Sequence, residues 1–285
     1  MRTVGFYDGD FSPDIKLENS KIVVLPIPYD GTSTWLKGAD KGPEAILKAS
    51  PNMEYYDIET NSQVVKEGIY TDAPVSEKSS PEALAKASEK KVSEHLEKGK
   101  FVVVLGGEHS VSIGPIMAFS KKFSDLTVLQ LDAHTDLREE YHGSKFNHAC
   151  VMARAKEKCN IVQVGIRSMS AAEKKSISPD RVFFAKDIHG NEDWMEKAIS
   201  KLTKNVYLTI DLDAFDPSIM PFTGTPEPGG MQWYQALKFI RKVAESRNLV
   251  GFDVVELCPD ERNKAPDFLA AKLIYTILSY KFMKP

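Results

Sequence analysis

The feature that most restricts how this chain can fold is a set of short, almost unbroken aliphatic runs spread along its length. They lie at residues 22–27, 101–105, 126–132, 161–165, 181–184, 206–211 and 249–256. A strand with one wet face alternates apolar and polar residues. A run that stays apolar has to be covered on both faces, as strands inside a parallel sheet are. Between the runs lie segments with helical spacing, at 81–98, 113–122, 191–202, 231–247 and 265–281. The first opens with Ser80 and Pro81, a capping residue before a first-turn proline, and carries Leu84, Ala87, Val92 and Leu96 on one stripe. This alternation predicts an α/β fold in three layers, with a mostly parallel central sheet of about eight strands and helices on both faces. No internal repeat or Ser/Gly-rich linker divides residues 1–285, which read as one domain.

Charge and composition narrow the function classes. With 42% hydrophobic residues the chain can bury a core, and 37 Lys+Arg against 40 Asp+Glu give a net charge of −3. A protein living on nucleic-acid phosphates needs a basic excess, so no nucleic-acid partner is expected. No apolar run approaches the roughly 18 residues that span a bilayer, so no membrane partner is expected either. The opening MRTVGFYDGDFSPD meets acidic residues and Pro before an apolar stretch forms, which argues against a secretory leader. Cys150, Cys159 and Cys258 form neither a CxxC pair nor an even framework, which fits a reducing, cytoplasmic setting.

In parallel α/β sheets, ligands sit at the carboxyl ends of the strands. Three such ends carry ligand-type side chains: GGEHS with Glu108 and His109, DAHTD with Asp132, His134 and Asp136, and IDLDAFDP with Asp211, Asp213 and Asp216. Residues two apart in extended chain point the same way and lie roughly 6–7 Å apart. Asp132, His134 and Asp136 can therefore share one side of a site, as can Asp211 and Asp213. Ionised carboxylates at the mouth of an apolar sheet are costly unless compensated, and divalent cations are the natural compensation. Carboxylates with imidazoles and no thiolate suit Mn²⁺ better than structural zinc. Two such ions with a hydroxide leave four Asp near neutrality, a setting that accepts a cationic substrate and disfavours a phosphate ester. Singly, each motif is weak: His109 alone reads as a loop histidine, and Gly106-Gly107 lacks the GK[ST] of a phosphate loop. The run 89–98, with His95, reads as a solvated helix face. Convergence of three strand ends carries the inference.

These motifs, with the long run IDLDAFDPSIMPFTGTPEPGG, resemble the ureohydrolase family of arginases and agmatinases, which hold a two-manganese centre. PYDGTSTW at 28–35, KGADKGPEAIL at 37–47 and FDVVELCP at 252–259 extend the resemblance over nearly the whole chain. Phe222 departs from the pattern, standing where many members have Gly, and puts only the shape of that loop in question. The resemblance implies two Mn²⁺ ions, one held by His109, Asp132, Asp136 and Asp211, the other by Asp132, His134, Asp211 and Asp213. It implies that Glu256 pairs with the substrate guanidinium, and that His148 in KFNHACVMARA is an active-site histidine exchanging protons with bulk water near neutral pH. Asp136 is the candidate for moving a proton from the attacking water to the departing amine. It also implies a homo-oligomer, trimer or hexamer.

Arginases grip the α-carboxylate and α-amino group through an Asn two positions past the last Asp of the motif and a Ser-Gly-Asn before the histidine. Here those places read Arg138 and Lys145-Phe146-Asn147, and DLREEYHGSKFNHACVM looks more like the agmatinase branch. The expected reaction is agmatine and water to putrescine and urea, with Arg138 facing away from the cationic substrate and Glu139 and Glu140 solvated. Arginase, guanidino acid hydrolase and formimidoylglutamase activities share the chemistry and remain alternatives. A metal-dependent phosphoesterase and a non-catalytic relative of the fold are rivals from other classes.

Overall fold

The computed structural model describes residues 5–6 and 15–283. Most of the opening segment read above for a leader therefore lies outside the described residues. Eight strands form one sheet: β1 (Ile22–Ile27), β2 (Ile69–Thr71), β3 (Phe101–Gly106), β4 (Leu126–Leu131), β5 (Asn160–Ile166), β6 (Val182–Phe184), β7 (Asn205–Asp211) and β8 (Asn248–Val255). Their order is β2-β1-β3-β8-β7-β4-β5-β6, and every pairing is parallel, so the sheet is more uniform than the sequence required. Parallel neighbours need crossovers, which the helices supply.

Because strand residues point alternately to opposite faces, each strand feeds two cores. Ile22, Val24, Val103, Leu105, Leu129 and Leu131 face one of them, together with α1 (Gly42–Ala49), α6 (Asp193–Ser200), α7 (Trp233–Ser246) and α8 (Ala265–Phe282). Leu25, Ile27, Val102, Val104 and Val128 face the other, under α2 (Pro81–Glu97), α3 (Ile113–Lys122) and α4 (Val151–Lys156). A short turn of helix, α5 (Ala185–Ile188), follows β6. Ser80 caps α2 by accepting from the Ala83 N–H at 3.1 Å. Among the described residues, no helix is long and apolar enough to cross a membrane.

The charged stretch of α2 is less solvated than its composition implied. His95 is buried, with its Nε2 2.7 Å from Asp72 Oδ2, and Lys91 reaches the same carboxylate at 2.8 Å. Val92 and Leu96 are buried beside it, so this turn of α2 carries a polar pair within its packed face.

Candidate metal centre and active-site cavity

The four central strands β3, β8, β7 and β4 are consecutive neighbours, and all their carboxyl ends open on one edge of the sheet. Chain exits there are tightly shaped. A Cβ at Gly107 would sit 1.9 Å from the Tyr29 carbonyl oxygen, so only glycine lets β3 turn this close to the exit of β1. The turn delivers Glu108, whose carboxylate accepts from the Ser110 N–H and hydroxyl at 2.9 and 2.6 Å, and then His109. β7 delivers Asp211, which accepts from the Asp213 N–H at 2.8 Å. Asp136 and Glu256 both hold left-handed backbone, φ 50° and 69°. For residues other than glycine that costs about 1–2 kcal/mol each, and such outliers cluster where a side chain has to be aimed.

The six expected ligands converge. His109 Nδ1 lies 3.1 Å from Asp132 Oδ2, 3.0 Å from Asp136 Oδ2 and 3.5 Å from Asp211 Oδ2. His134 Nδ1 lies 2.9 Å from Asp213 Oδ2 and 3.7 Å from Asp132 Oδ1. Two donor groups result, His109–Asp132–Asp211 and Asp132–His134–Asp213, each with its ligand atoms within 4.8 Å of one another. Asp132 belongs to both, turning one oxygen to each imidazole. Asp216 does not join them. Its carboxylate accepts from the N–H groups of Ser218, Gly229 and Gly230 and braces its own loop.

The hydrogen bonds behind His109 test whether this donor set fits a cation. Asp253 on β8 accepts from Tyr207 OH at 2.7 Å and from Thr209 Oγ1 at 2.6 Å. With its proton given to Asp253, Thr209 Oγ1 accepts from His109 Nε2–H at 2.9 Å. That fixes the neutral tautomer with a bare Nδ1, an atom that is buried and has no hydrogen-bond partner. A lone pair aimed at three carboxylate oxygens is repulsive until a positive charge lies between them. Protons supply that charge when metal is absent. Burial opposes it, yet Asp132, Asp136 and Asp211 raise the His109 pKa well above its ordinary value. Burial, followed by the neighbouring Asp213 and Asp132, likewise pushes the Asp211 carboxyl far up. The residues therefore fit divalent cations. Outer partners of metal-bound histidines typically contribute about 10–100-fold in affinity, so Asp253→Asn is expected to weaken Mn²⁺ binding by that factor in a calorimetric titration. An unchanged affinity would contradict this role.

The proposed guanidinium partner sits beside the cluster. Glu256 is buried, and its Oε1 accepts from the His109 N–H at 2.8 Å. Burial first, and then Glu108, raise its pKa well above the carboxylate range, so an arriving cation restores its charge. Phe222 leaves this arrangement in place, its carbonyl accepting from the Cys258 N–H at 2.9 Å. His148 opens a helical turn under an Asn147 cap. Thr32 Oγ1 accepts from the His148 N–H at 3.0 Å and lies 3.1 Å from its Nδ1. Burial, followed by His109 and His134, lowers its pKa to about 4. That lies below the near-neutral titration expected of this imidazole.

A cavity of about 280 Å³ opens over these groups, lined by His109, His134, Asp136, His148, Asp211 and Glu256. Arg138 lines it too, contrary to the expectation that it faces away. Its guanidinium lies 4.3 Å from the centre of the Tyr141 ring, with Nε 3.7 Å from Glu173 Oε2. Glu139 and not Glu173 takes the surface role, pairing with Arg154 at 2.9 Å. Glu173 was missed in the sequence. It is buried at the cavity wall, where Oε1 accepts from Thr135 Oγ1 at 2.7 Å and from the Leu137 N–H at 3.1 Å. Oε2 accepts from the Ser170 N–H and hydroxyl at 2.8 and 2.6 Å. One carboxylate thus ties the loop carrying Asp136 to the loop after β5.

The Arginase family model matches residues 20–279. An N(1)-aminopropylagmatine ureohydrolase of Synechocystis is 39% identical over 92% of this chain and 89% of its own length. An agmatinase of Pyrococcus horikoshii is 30% identical over 93% and 94%. Among solved structures, the agmatine ureohydrolase of Thermoplasma volcanium superposes with a TM-score of 0.85 at 33% identity, covering 93% of this chain and 91% of that one. With its sheet order, its strand-end donors and this likeness along nearly its whole length, the chain belongs to the arginase family of ureohydrolases.

Proposed function

We propose that the chain hydrolyses the guanidino group of agmatine, releasing putrescine and urea, with two Mn²⁺ held by His109, Asp132, His134, Asp136, Asp211 and Asp213. The observation that carries this reading is the placement of Glu256, a buried acid at 8% exposure, on the same cavity as both donor groups. Guanidinium is planar, permanently charged and poor as an electrophile, so it must be desolvated and held by its N–H edge. Glu256 supplies that hold, and Oε1 is itself fixed by the His109 N–H. Divalent cations held by these six side chains would lower the pKa of a bound water and offset the charge that develops on the guanidino group.

The remaining steps fall to side chains. Breaking the C–N bond to the alkyl chain requires a proton on the leaving amine. Asp136, on the wall of the same cavity, is placed to take the proton of the attacking water and pass it to that amine. The His148 ring lines the same cavity. Arg138 is occupied by Tyr141 and Glu173, and among the described residues no other Lys or Arg lines the cavity to grip an α-carboxylate.

A second reading, hydrolysis of an aminopropyl-extended agmatine, is favoured by the name of the 39%-identical relative. Urea release from agmatine, N1-aminopropylagmatine and arginine, assayed side by side with Mn²⁺, tests the class. Arginine is expected to be slower than both amines by at least about a hundredfold, the discrimination a missing polar clamp gives. Arginine as the fastest substrate would overturn the proposal.

A further inference from the structure

Thr32 sits in the loop that follows β1, and two sets of bonds fix that loop. The Glu108 N–H donates to the Tyr29 carbonyl at 2.9 Å, tying the exit of β3 to the exit of β1. The Asp30 carboxylate accepts from Ser33 Oγ and from the Gly38 and Ala39 N–H groups, the last two at 2.7 and 3.3 Å, and pairs with Lys37 at 3.1 Å. One acid therefore gathers residues 33–39 around the start of the loop.

The fixed loop meets His148, 116 positions further along the chain. The first N–H groups of a helix have no partner inside it. At the helical turn His148–Cys150, Asn147 takes the N–H of Ala149 at 3.1 Å, and Thr32 Oγ1 takes that of His148 at 3.0 Å. The same oxygen lies 3.1 Å from Nδ1 of the ring. A backbone bond alone would only staple two loops together. The contact at Nδ1 also sets the rotation of the imidazole about its Cβ–Cγ bond, a torsion with broad intrinsic preference. The Tyr141 ring meets the imidazole edge-on, with centroids 6.1 Å apart. Among the described residues no hydrogen bond holds Nε2, which leaves that nitrogen for a molecule in the cavity His148 lines. Resting on the guanidino-hydrolase reading above, we propose that Thr32 is a positioning residue of the reaction. It holds the His148 imidazole with Nε2 toward the bound guanidino group, and the Asp30-centred loop keeps Thr32 in place.

The test is steady-state urea release with Mn²⁺, on whichever of agmatine and N1-aminopropylagmatine the unmodified protein hydrolyses faster. His148→Ala should lower kcat by about a hundredfold, the scale of one proton-transferring group. Thr32→Val and Thr32→Ala should each lower kcat by about tenfold with KM within about twofold, because the ring is displaced while Glu256 still holds the guanidinium. Thr32→Ser, which keeps the hydroxyl, should restore kcat. Adding Thr32→Val to His148→Ala should lower kcat by less than about twofold more, since residues that act through one another are not additive. Every variant should retain the bound Mn²⁺ of the unmodified protein by elemental analysis, as Thr32 and His148 lie outside both donor groups. The positioning role is overturned, with guanidino hydrolysis intact, by equal loss from Thr32→Val with and without His148, by loss through KM or metal content, or by full activity in Thr32→Val or His148→Ala. Hydrolysis of neither amine by the unmodified protein would overturn the functional reading, and the role of Thr32 with it.

Discussion

Asp132→Ala is expected to abolish metal-dependent urea release, by at least about a thousandfold, because Asp132 belongs to both donor groups. Asp213→Ala should do the same by stripping one group of its partner for His134. A stability measurement separates loss of metal from loss of fold. The Asp211 carboxyl is raised by burial and by Asp213 and Asp132, so the folded protein favours its protonated form. For an acid shifted upward, the stability it contributes is present at low pH. It is lost as pH rises through the unfolded value near 4. At pH 7 without metal, Asp211 therefore opposes folding. Asp211→Asn keeps an oxygen for the Asp213 N–H while removing the charge. The chelated variant should melt above the chelated parent, by about 2–4 °C for each kcal/mol relieved. Adding Mn²⁺ should reverse the order, raising the parent more than the variant. Variants that retain full activity, or that shift equally with and without metal, would contradict the ligand assignment.

Glu256→Gln should leave Mn²⁺ binding intact and lower kcat/KM for agmatine by about 10²–10³-fold, the range for removing one partner of a buried charged pair. The amide oxygen can keep the bond from the His109 N–H. The other position then presents N–H groups to a cation that has only N–H groups of its own. Steady-state kinetics alongside a metal titration reads both effects. A variant within tenfold of the parent would show that the guanidinium is held elsewhere.

What could be read from the sequence was what local chain geometry determines. His109, Asp132, His134, Asp136, Asp211 and Asp213 each lie within a few residues of a strand end, so an apolar run followed by ligand side chains places them at the sheet edge before tertiary structure is known. Strands longer than about five residues show in the sequence for the same reason. β2 does not, because Ile69 and Tyr70 run straight into the polar Thr71 and Asp72, whereas the equally short β6 shows as the unbroken apolar Val182–Phe184. The helix of six residues at Val151–Lys156 was likewise too short to announce itself.

The rest depends on residues meeting from distant parts of the chain. Nothing near His95 reveals that Asp72 will reach it through β2's exit, so a buried pair looked like one more charge on a wet helix. Glu173 joins Thr135 to Ser170 from a turn far along the sequence, and the same carboxylate holds Arg138 at the cavity wall. Its neighbours in sequence, Ala172 and Lys174, gave no sign of burial. The lowered pKa of His148 is likewise a product of packing, since burial is its largest cause.

The most direct measurement is the metal content of the chain after equilibration with Mn²⁺ and removal of the unbound ion, read by elemental analysis against protein concentration. The arrangement of two donor groups sharing Asp132 predicts about two manganese ions per chain in the parent, falling to below one in Asp132→Ala. A parent chain that retains none, or a variant that retains as many as the parent, would contradict the account.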